Sequence, residues 1–261
     1  MNRTDILKEC FGFMDLTTLR PEDTPTSVKT LVDKVTEFHR LYPSYPLPAS
    51  ICVYPNFAHV VKENRVSEEL HVTTVAGCFP SSQSFPEVKK AEVELAIKDG
   101  ADEVDIVLAL NAFLDGDTAA AASEIEQIAD ICHRHGVILK VILETGILKT
   151  EELIHKASVL AMEAGADFIK TSTGKVSVNA TPEAATVMCK AIKEYYEKTG
   201  RKVGFKAAGG VSTAEEAMQY YDIGLSILGK EWMNKNLFRF GVSRLGNSLV
   251  SAIENKEIKF F

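Results

Sequence analysis

Four charged residues interrupt runs that are otherwise apolar: Asp105 in EVDIVLAL, Lys140 in VILKVIL, Lys170 in DFIKTSTGK and Lys206 in VGFKAAGG. A buried charge is costly unless it is paired or has a task. Any one of these alone reads as a strand end or half of a structural ion pair. Three lysines and one or two carboxylates converging on one lumen are harder to read as structural and can do chemistry. Attack on a carbonyl needs a neutral amine, yet lysine's ordinary pKa of about 10.4 leaves almost none neutral at pH 7. Burial and a second nearby cation both push it down. A lysine so placed forms an imine with an aldehyde or ketone. The protonated imine withdraws electrons, so a carbon–carbon bond one position further along can break. Asp105 with a second lysine would move the protons, directly or through water.

A second set of residues could hold a phosphate. Thr171-Ser172-Thr173-Gly174-Lys175, Ala208-Gly209-Gly210-Val211 and Phe240-Gly241-Val242-Ser243 offer backbone N–H groups, hydroxyls and a cation. In a barrel, phosphate commonly sits at the loops after the seventh and eighth strands and at the start of a short extra helix. Gly241 to Ser243 is expected to open that helix. Each turn alone reads as an ordinary glycine turn. Gly174-Lys175 is not a nucleotide-binding P-loop, because Ile169 stands where the upstream glycine belongs and Val176 replaces the Ser or Thr. No GxGxxG occurs, so no nucleotide cofactor is expected. His133 and His135 face different sides of a helix, and His39, His59, His71 and His155 are scattered, which leaves no metal-binding spacing. Trp232 is expected in the core or at an interface.

The elements that must position these groups alternate throughout the chain. Strands are expected near Met14 to Thr18, Ser50 to Tyr54, His71 to Gly77, Glu103 to Ala109, Val137 to Leu143, Asp167 to Ser172, Lys202 to Ala207 and Ile223 to Leu228. Several are almost continuously apolar, as strands covered on both faces are. Ser123 to His135 and Leu153 to Ala164 have helical periodicity. Thr181-Pro182-Glu183 reads as a helix start, and Ser212 with Glu215 as a capping box. Asp99-Gly100-Ala101-Asp102 and Ala164-Gly165-Ala166-Asp167 read as helix stops leading into strands. Eight βα units without a linker point to one α/β domain over residues 1–261, a single (β/α)8 TIM barrel with an N-terminal helical extension. A doubly wound sheet is the structural alternative.

Composition narrows the class. The chain has 261 residues and a formal charge of -7, with 46% hydrophobic and 25% charged residues, as globular proteins do and disordered or fibrous ones do not. The acidic balance without a long basic cluster removes the footprint of a nucleic-acid binder. Leu41 to Val61 is long and uncharged, but Pro43, Pro46, Pro48 and Pro55 break it, so it reads as a loop and a strand, not a membrane span. MNRTDILKEC lacks the apolar run of an export signal, so a cytoplasmic location is expected. Cys10, Cys52, Cys78, Cys132 and Cys189 are odd in number and widely spaced, as reduced thiols are.

Longer runs carry a resemblance. MDLTTL (14–19), ICVYP (51–55), GADEVDIV (100–107), LKVILETG (139–146), AGADFIKTSTGK (164–175) and VGFKAAGG (203–210) resemble the deoxyribose-phosphate aldolases, class I imine-forming aldolases built on a (β/α)8 barrel. The most specific of these is AGADFIKTSTGK. The resemblance implies that Lys170 forms the imine, Asp105 relays protons and Lys206 is the second catalytic lysine. It places phosphate on Gly174, Lys175, Gly209, Gly210, Gly241 and Ser243, with Asp15, Lys140 and Thr173 in support. It implies cleavage of 2-deoxy-D-ribose 5-phosphate in deoxyribonucleotide catabolism, small phosphosugar and aldehyde partners, no cofactor and a homo-oligomer. Ala207 stands where the family often has proline, and Arg244 where some members have a second serine. The final Lys259-Phe260-Phe261 lacks the terminal tyrosine of certain bacterial members. Two other readings stay open: a phosphosugar isomerase, needing the phosphate site but no imine, and a phosphosugar-binding relic without turnover.

Overall fold

A computed structural model describes residues 2–261. Eight parallel strands close into a barrel in the order β1 to β8, each hydrogen-bonded to its sequence neighbours and β8 to β1. The strands are β1 Met14–Thr17, β2 Ser50–Val53, β3 His71–Val75, β4 Glu103–Val107, β5 Ile138–Ile142, β6 Phe168–Lys170, β7 Gly204–Ala208 and β8 Phe238–Val242. The α helices run α1 Arg3–Gly12, α2 Pro25–Leu41, α3 Ala58–Asn64, α4 Pro86–Asp99, α5 Leu110–Leu114 and α6 Thr118–Arg134. They continue with α7 Thr145–Leu148, α8 Glu151–Glu163, α9 Pro182–Thr199, α10 Ala214–Leu228 and α11 Leu245–Glu254. The fold is the (β/α)8 barrel, and α1 is the expected helical extension ahead of β1.

Local chemistry explains most boundaries. The side chains of Thr181 and Thr213 accept from the N–H groups of Ala184 and Glu216 and so start α9 and α10. The capping box on α10 is Thr213 with Glu216, one residue later than expected, because Glu216 accepts N–H bonds from both Ser212 and Thr213. Gly100 takes φ of +113° and Gly165 +107°, ending α4 and the turn after α8 just before their strands. The cysteines are free thiols, and Trp232 is core, donating through Nε1 to the carbonyl of Val203 at 2.9 Å.

The eighth strand is a correction. Ile223 to Leu228 is the last part of α10, and the true β8 is FRFGV at 238–242. The IGLSIL run is apolar enough for a buried strand, and periodicity alone does not separate a short buried strand from a buried helix segment. Arg239 disguised the real strand. The same error misread Phe240 to Ser243 as a turn: Phe240, Gly241 and Val242 are strand, Ser243 and Arg244 make the bend, and α11 opens at Leu245.

Alternate residues of each strand face outward to the helices and inward to the lumen. Val104 and Ile106 pack outward in the main apolar cluster, while Glu103 and Asp105 point inward. Barrel interiors are ordinarily layers of Val, Ile and Leu. Here the middle layers are charged, and an aromatic ring sits at the N-terminal end. Gly204 makes room for that ring, since a Cβ there would fall 2.3 Å from the ring of Phe168. Gly204→Ala should therefore cost about 1–3 kcal/mol through overpacking, measured as a lower urea midpoint with unchanged slope. An unchanged midpoint would show that the ring has room to move.

Candidate active site

Six strands send ionised side chains into the lumen. Asp105 on β4 is the centre. Its Oδ2 lies 2.8 Å from Lys170 Nζ on β6 and 2.8 Å from Lys206 Nζ on β7, and its Oδ1 lies 2.9 Å from Lys140 Nζ on β5. The register makes this possible by pairing Asp105 with Lys140 and Lys170 with Lys206 across adjacent strands. Towards the N-terminal end, Lys206 reaches Asp15 Oδ2 at 2.5 Å and Lys140 reaches Glu103 Oε2 at 2.5 Å. Arg239 on β8 closes the cluster, bonding Asp15 Oδ1 at 2.5 Å and Glu103 Oε1 at 2.7 Å. All seven groups are buried, and only Lys170, at 4% exposure, and the neighbouring Thr173 open slightly to the C-terminal mouth.

The counts do not balance: four cations, Lys140, Lys170, Lys206 and Arg239, face three carboxylates, Asp15, Glu103 and Asp105. Lys170 is the poorest provided. It meets one carboxylate oxygen, which it shares with Lys206. Burial, reinforced by the Lys206 ammonium, pushes the Lys170 amine below its ordinary value against the pull of Asp105. Lys206 goes the other way. Burial alone would lower it, but Asp105 and Asp15 hold its proton, and Lys140 is raised similarly by Asp105 and Glu103. Burial alone would raise Asp105, yet Lys140, Lys170 and Lys206 keep its carboxyl far below the carboxylate range. Asp15 and Glu103 are depressed by their own cations. Lys170 is therefore the one amine of the three whose proton is held less firmly than usual, beside two whose protons are held more firmly.

The loops beyond β6, β7 and β8 form one contiguous rim. Gly209 and Gly210 have φ of +80° and +85°, and Gly174 +81°, conformations that turn the backbone sharply at little steric cost. The Gly209 carbonyl accepts from Ala180 N, the Gly209 N–H reaches the Gly241 carbonyl, and Asn179 packs where a Gly209 Cβ would be. Gly241 lies beside Ala208 in β8, where a Cβ would fall 3.0 Å from Lys206 Cε, so its place in the strand brings the rim close to the amine cluster. Ser243 is exposed just past β8. Lys175 is exposed too, with Nζ 2.5 Å from the Leu19 carbonyl beyond β1, which ties the first loop to the sixth.

Thr173 is buried in support of this rim. Its hydroxyl donates to Glu144 Oε2 at 2.5 Å and accepts from the Lys175 N–H at 3.0 Å. Glu144, in the left-handed conformation with φ of +57°, also accepts from the Thr173 N–H. Sequence reasoning missed Glu144, Glu103 and Arg239. Glu103 was accessible, since it stands two residues before Asp105 and shares its face. Arg239 was lost with the misplaced strand. Glu144 follows a strand end, where a charged residue draws no notice. All the residues expected at the centre, Asp105, Lys170, Lys206, Lys140 and Asp15, do come together.

The fold and this arrangement define a class: a (β/α)8 barrel with a buried cluster of amines and carboxylates beneath its C-terminal mouth. A family model described as DeoC/LacD family aldolase matches residues 11–234. A Caenorhabditis elegans protein bearing the name "Putative deoxyribose-phosphate aldolase" is 44% identical over 247 residues, 94% of this chain and 80% of the relative. Among solved structures, "QR15, an Aldolase" is 28% identical, with a TM-score of 0.72 and coverage of 94% and 95% of the two chains. The tetrameric deoxyribose phosphate aldolase of Aeropyrum pernix, 23% identical, shares the fold at a TM-score of 0.72 over 97% of this chain and 92% of its own. The chain belongs to the DeoC/LacD family of aldolases, and it is a carbon–carbon lyase.

The charge excess has a consequence for stability. Lys170's folded pKa lies below its unfolded value, so its proton is unfavourable in the native state at every pH below the unfolded pKa, and that cost fades only as pH rises through the gap. Lys170→Met should therefore stabilise the protein at pH 7 by about 0.5–2 kcal/mol, as removal of a strained functional group often does. Asp105→Asn should destabilise it by about 3–5 kcal/mol, because three ammoniums lose their common partner. Urea unfolding at pH 7 reads both, and a destabilised Lys170→Met would contradict the surplus-cation reading.

Proposed function

We propose that the protein catalyses the reversible cleavage of 2-deoxy-D-ribose 5-phosphate to D-glyceraldehyde 3-phosphate and acetaldehyde through an imine on Lys170. One observation carries the reading: a single oxygen of Asp105 lies 2.8 Å from the Nζ of both Lys170 and Lys206 at the mouth of the barrel. The name of the C. elegans relative supports the substrate, and the donor-rich rim supports a phosphorylated one.

The neutral Lys170 amine attacks the C1 aldehyde. Lys206, which holds its proton firmly, supplies positive charge beside the developing carbinolamine oxygen and donates as water leaves. Once Lys170 becomes an iminium it keeps a single N–H, and Asp105 Oδ2, less fully occupied, can accept a proton from the C3 hydroxyl, directly or through water. The C2–C3 bond then breaks, its electrons moving into the iminium to form an enamine. Glyceraldehyde 3-phosphate leaves, the enamine carbon is protonated by the same relay, and water releases acetaldehyde from Lys170. Phosphate at C5 is held at the rim built by Gly174, Gly209, Gly210, Gly241 and Ser243, and by the Lys175 ammonium, swung from Leu19. Asp15 and Lys140 balance the interior, and Thr173 shapes the rim.

The reading takes the whole chain as one catalytic domain acting in the cytoplasm in deoxyribonucleotide catabolism, as a homo-oligomer. The A. pernix relative is a tetramer. Among the described residues no helix is long and apolar enough to cross a membrane.

Borohydride reduction in the presence of acetaldehyde should leave an ethyl group on Lys170, located by peptide mass spectrometry. A persisting adduct in Lys170→Ala, or none in the wild type, would overturn the imine. In an assay of acetaldehyde release from deoxyribose 5-phosphate, Asp105→Asn and Lys206→Met should lower kcat by about 10²–10⁴-fold.

A further inference from the structure

Arg239 touches nothing at the barrel mouth. It lies at the N-terminal end of the lumen, fully buried, with its guanidinium 5.6 Å from the centre of the Phe168 ring and its Nε bonded to the Lys235 carbonyl. Its remaining donors hold one oxygen of Asp15 and both oxygens of Glu103. Those are the carboxylates that Lys206 and Lys140 also use. An arginine in such a site stays charged at any working pH, so it permanently consumes half of the negative charge available at that end.

We propose that Arg239 is a positioning residue for the nucleophile: by occupying Asp15 and Glu103 it leaves the lumen one carboxylate short, and the cluster is neutral only when Lys170 gives up its proton. The inference rests on Lys170 being the nucleophile. Influence passes along a continuous chain of ion pairs, from Arg239 through Asp15 to Lys206 and through Glu103 to Lys140, with both lysines meeting at Asp105 and so at Lys170. The groups facing Lys170 are Asp105 from β4, Lys206 from β7 and the thiol of Cys52 from β2, which burial keeps protonated. Behind them stand Asp15, Glu103, Lys140 and Arg239. β3 contributes His71, whose Nδ1 lies 2.7 Å from Glu103 Oε1 and whose side chain is 29% exposed.

The pH profile of kcat/KM tests this, because its acid limb reports the proton that free enzyme must lose. Arg239→Met removes a cation and should move the limb upward by about one pH unit, the scale of deleting a full charge from a buried cluster. Glu103→Gln removes a carboxylate and should move it downward. The double variant restores the excess of one cation and should bring the limb back to its wild-type position, and Arg239→Lys should leave it there. The shifts should persist in a His71→Gln background, which removes the one imidazole that touches the cluster, through Glu103. If Arg239→Met does not fold, Glu103→Gln and the double variant still read the charge count. Variants that lose rate with an unmoved limb, or whose limbs move in the same direction, would reduce Arg239 to a structural part and overturn the proposal. Borohydride trapping with acetaldehyde on the wild-type protein keeps the two readings apart: no adduct on Lys170 rejects the nucleophile, whereas an adduct with unmoved limbs rejects the role of Arg239 alone.

Discussion

One carboxylate oxygen shared by two ammoniums is the contact on which the rest depends. Asp105 Oδ2 lies equally close to Lys170 and Lys206, but Lys206 has a second carboxylate in Asp15 while Lys170 has none. The weakness of one ion pair thus distinguishes two chemically identical amines. That difference survives only away from water, where charges are screened little and a missing partner is felt fully. The closed sheet supplies this environment, with apolar faces packed outward against the helices and ring-bearing Phe168 beneath the cluster.

Burying seven ionised groups is a poor way to stabilise a barrel, since layers of aliphatic side chains would serve better. The arrangement makes sense as pre-organisation. Every charge but one is held between partners from neighbouring strands, so the cluster needs little rearrangement when the remaining amine changes state. The rim follows a similar logic with hydrogen bonds. Glu144 fixes Thr173, Thr173 fixes the Lys175 N–H, and Asn179 and Ala180 lean on Gly209, so the loops after β5, β6 and β7 are tied together by contacts on their inner side.

Much of this was legible in the chain. Seven of the eight strands lie where apolar runs between helix stops and starts put them, and Asp105, Lys140, Lys170 and Lys206 stood out because charge inside such runs is expensive. The illegible parts share a cause. β8 carries an arginine in FRFGV, and its five residues look less like a buried strand than the IGLSIL end of α10 does. With β8 misplaced, Arg239 had no lumen to face, and the turn expected at Phe240 to Ser243 was moved with it. Glu144 was illegible for a different reason: its partner Thr173 is 29 residues away, in a loop that only strand closure brings near.

The sequence by itself determined the kinds of chemistry available: amines and carboxylates at alternating inward positions of strands, and glycines where loops must expose their N–H groups. Those properties are local, set by the two-residue period of a strand and by the steric freedom of single residues. Only the tertiary structure decided which amine is the surplus one. A proton's affinity in the lumen is set by every charge within a few ångströms, and those charges come from six strands whose register no single segment contains. Closure of the barrel, by placing Arg239 beside Asp15 and Glu103 and Asp15 beside Lys206, left Lys170 as the one lysine of the three that shares its only carboxylate oxygen.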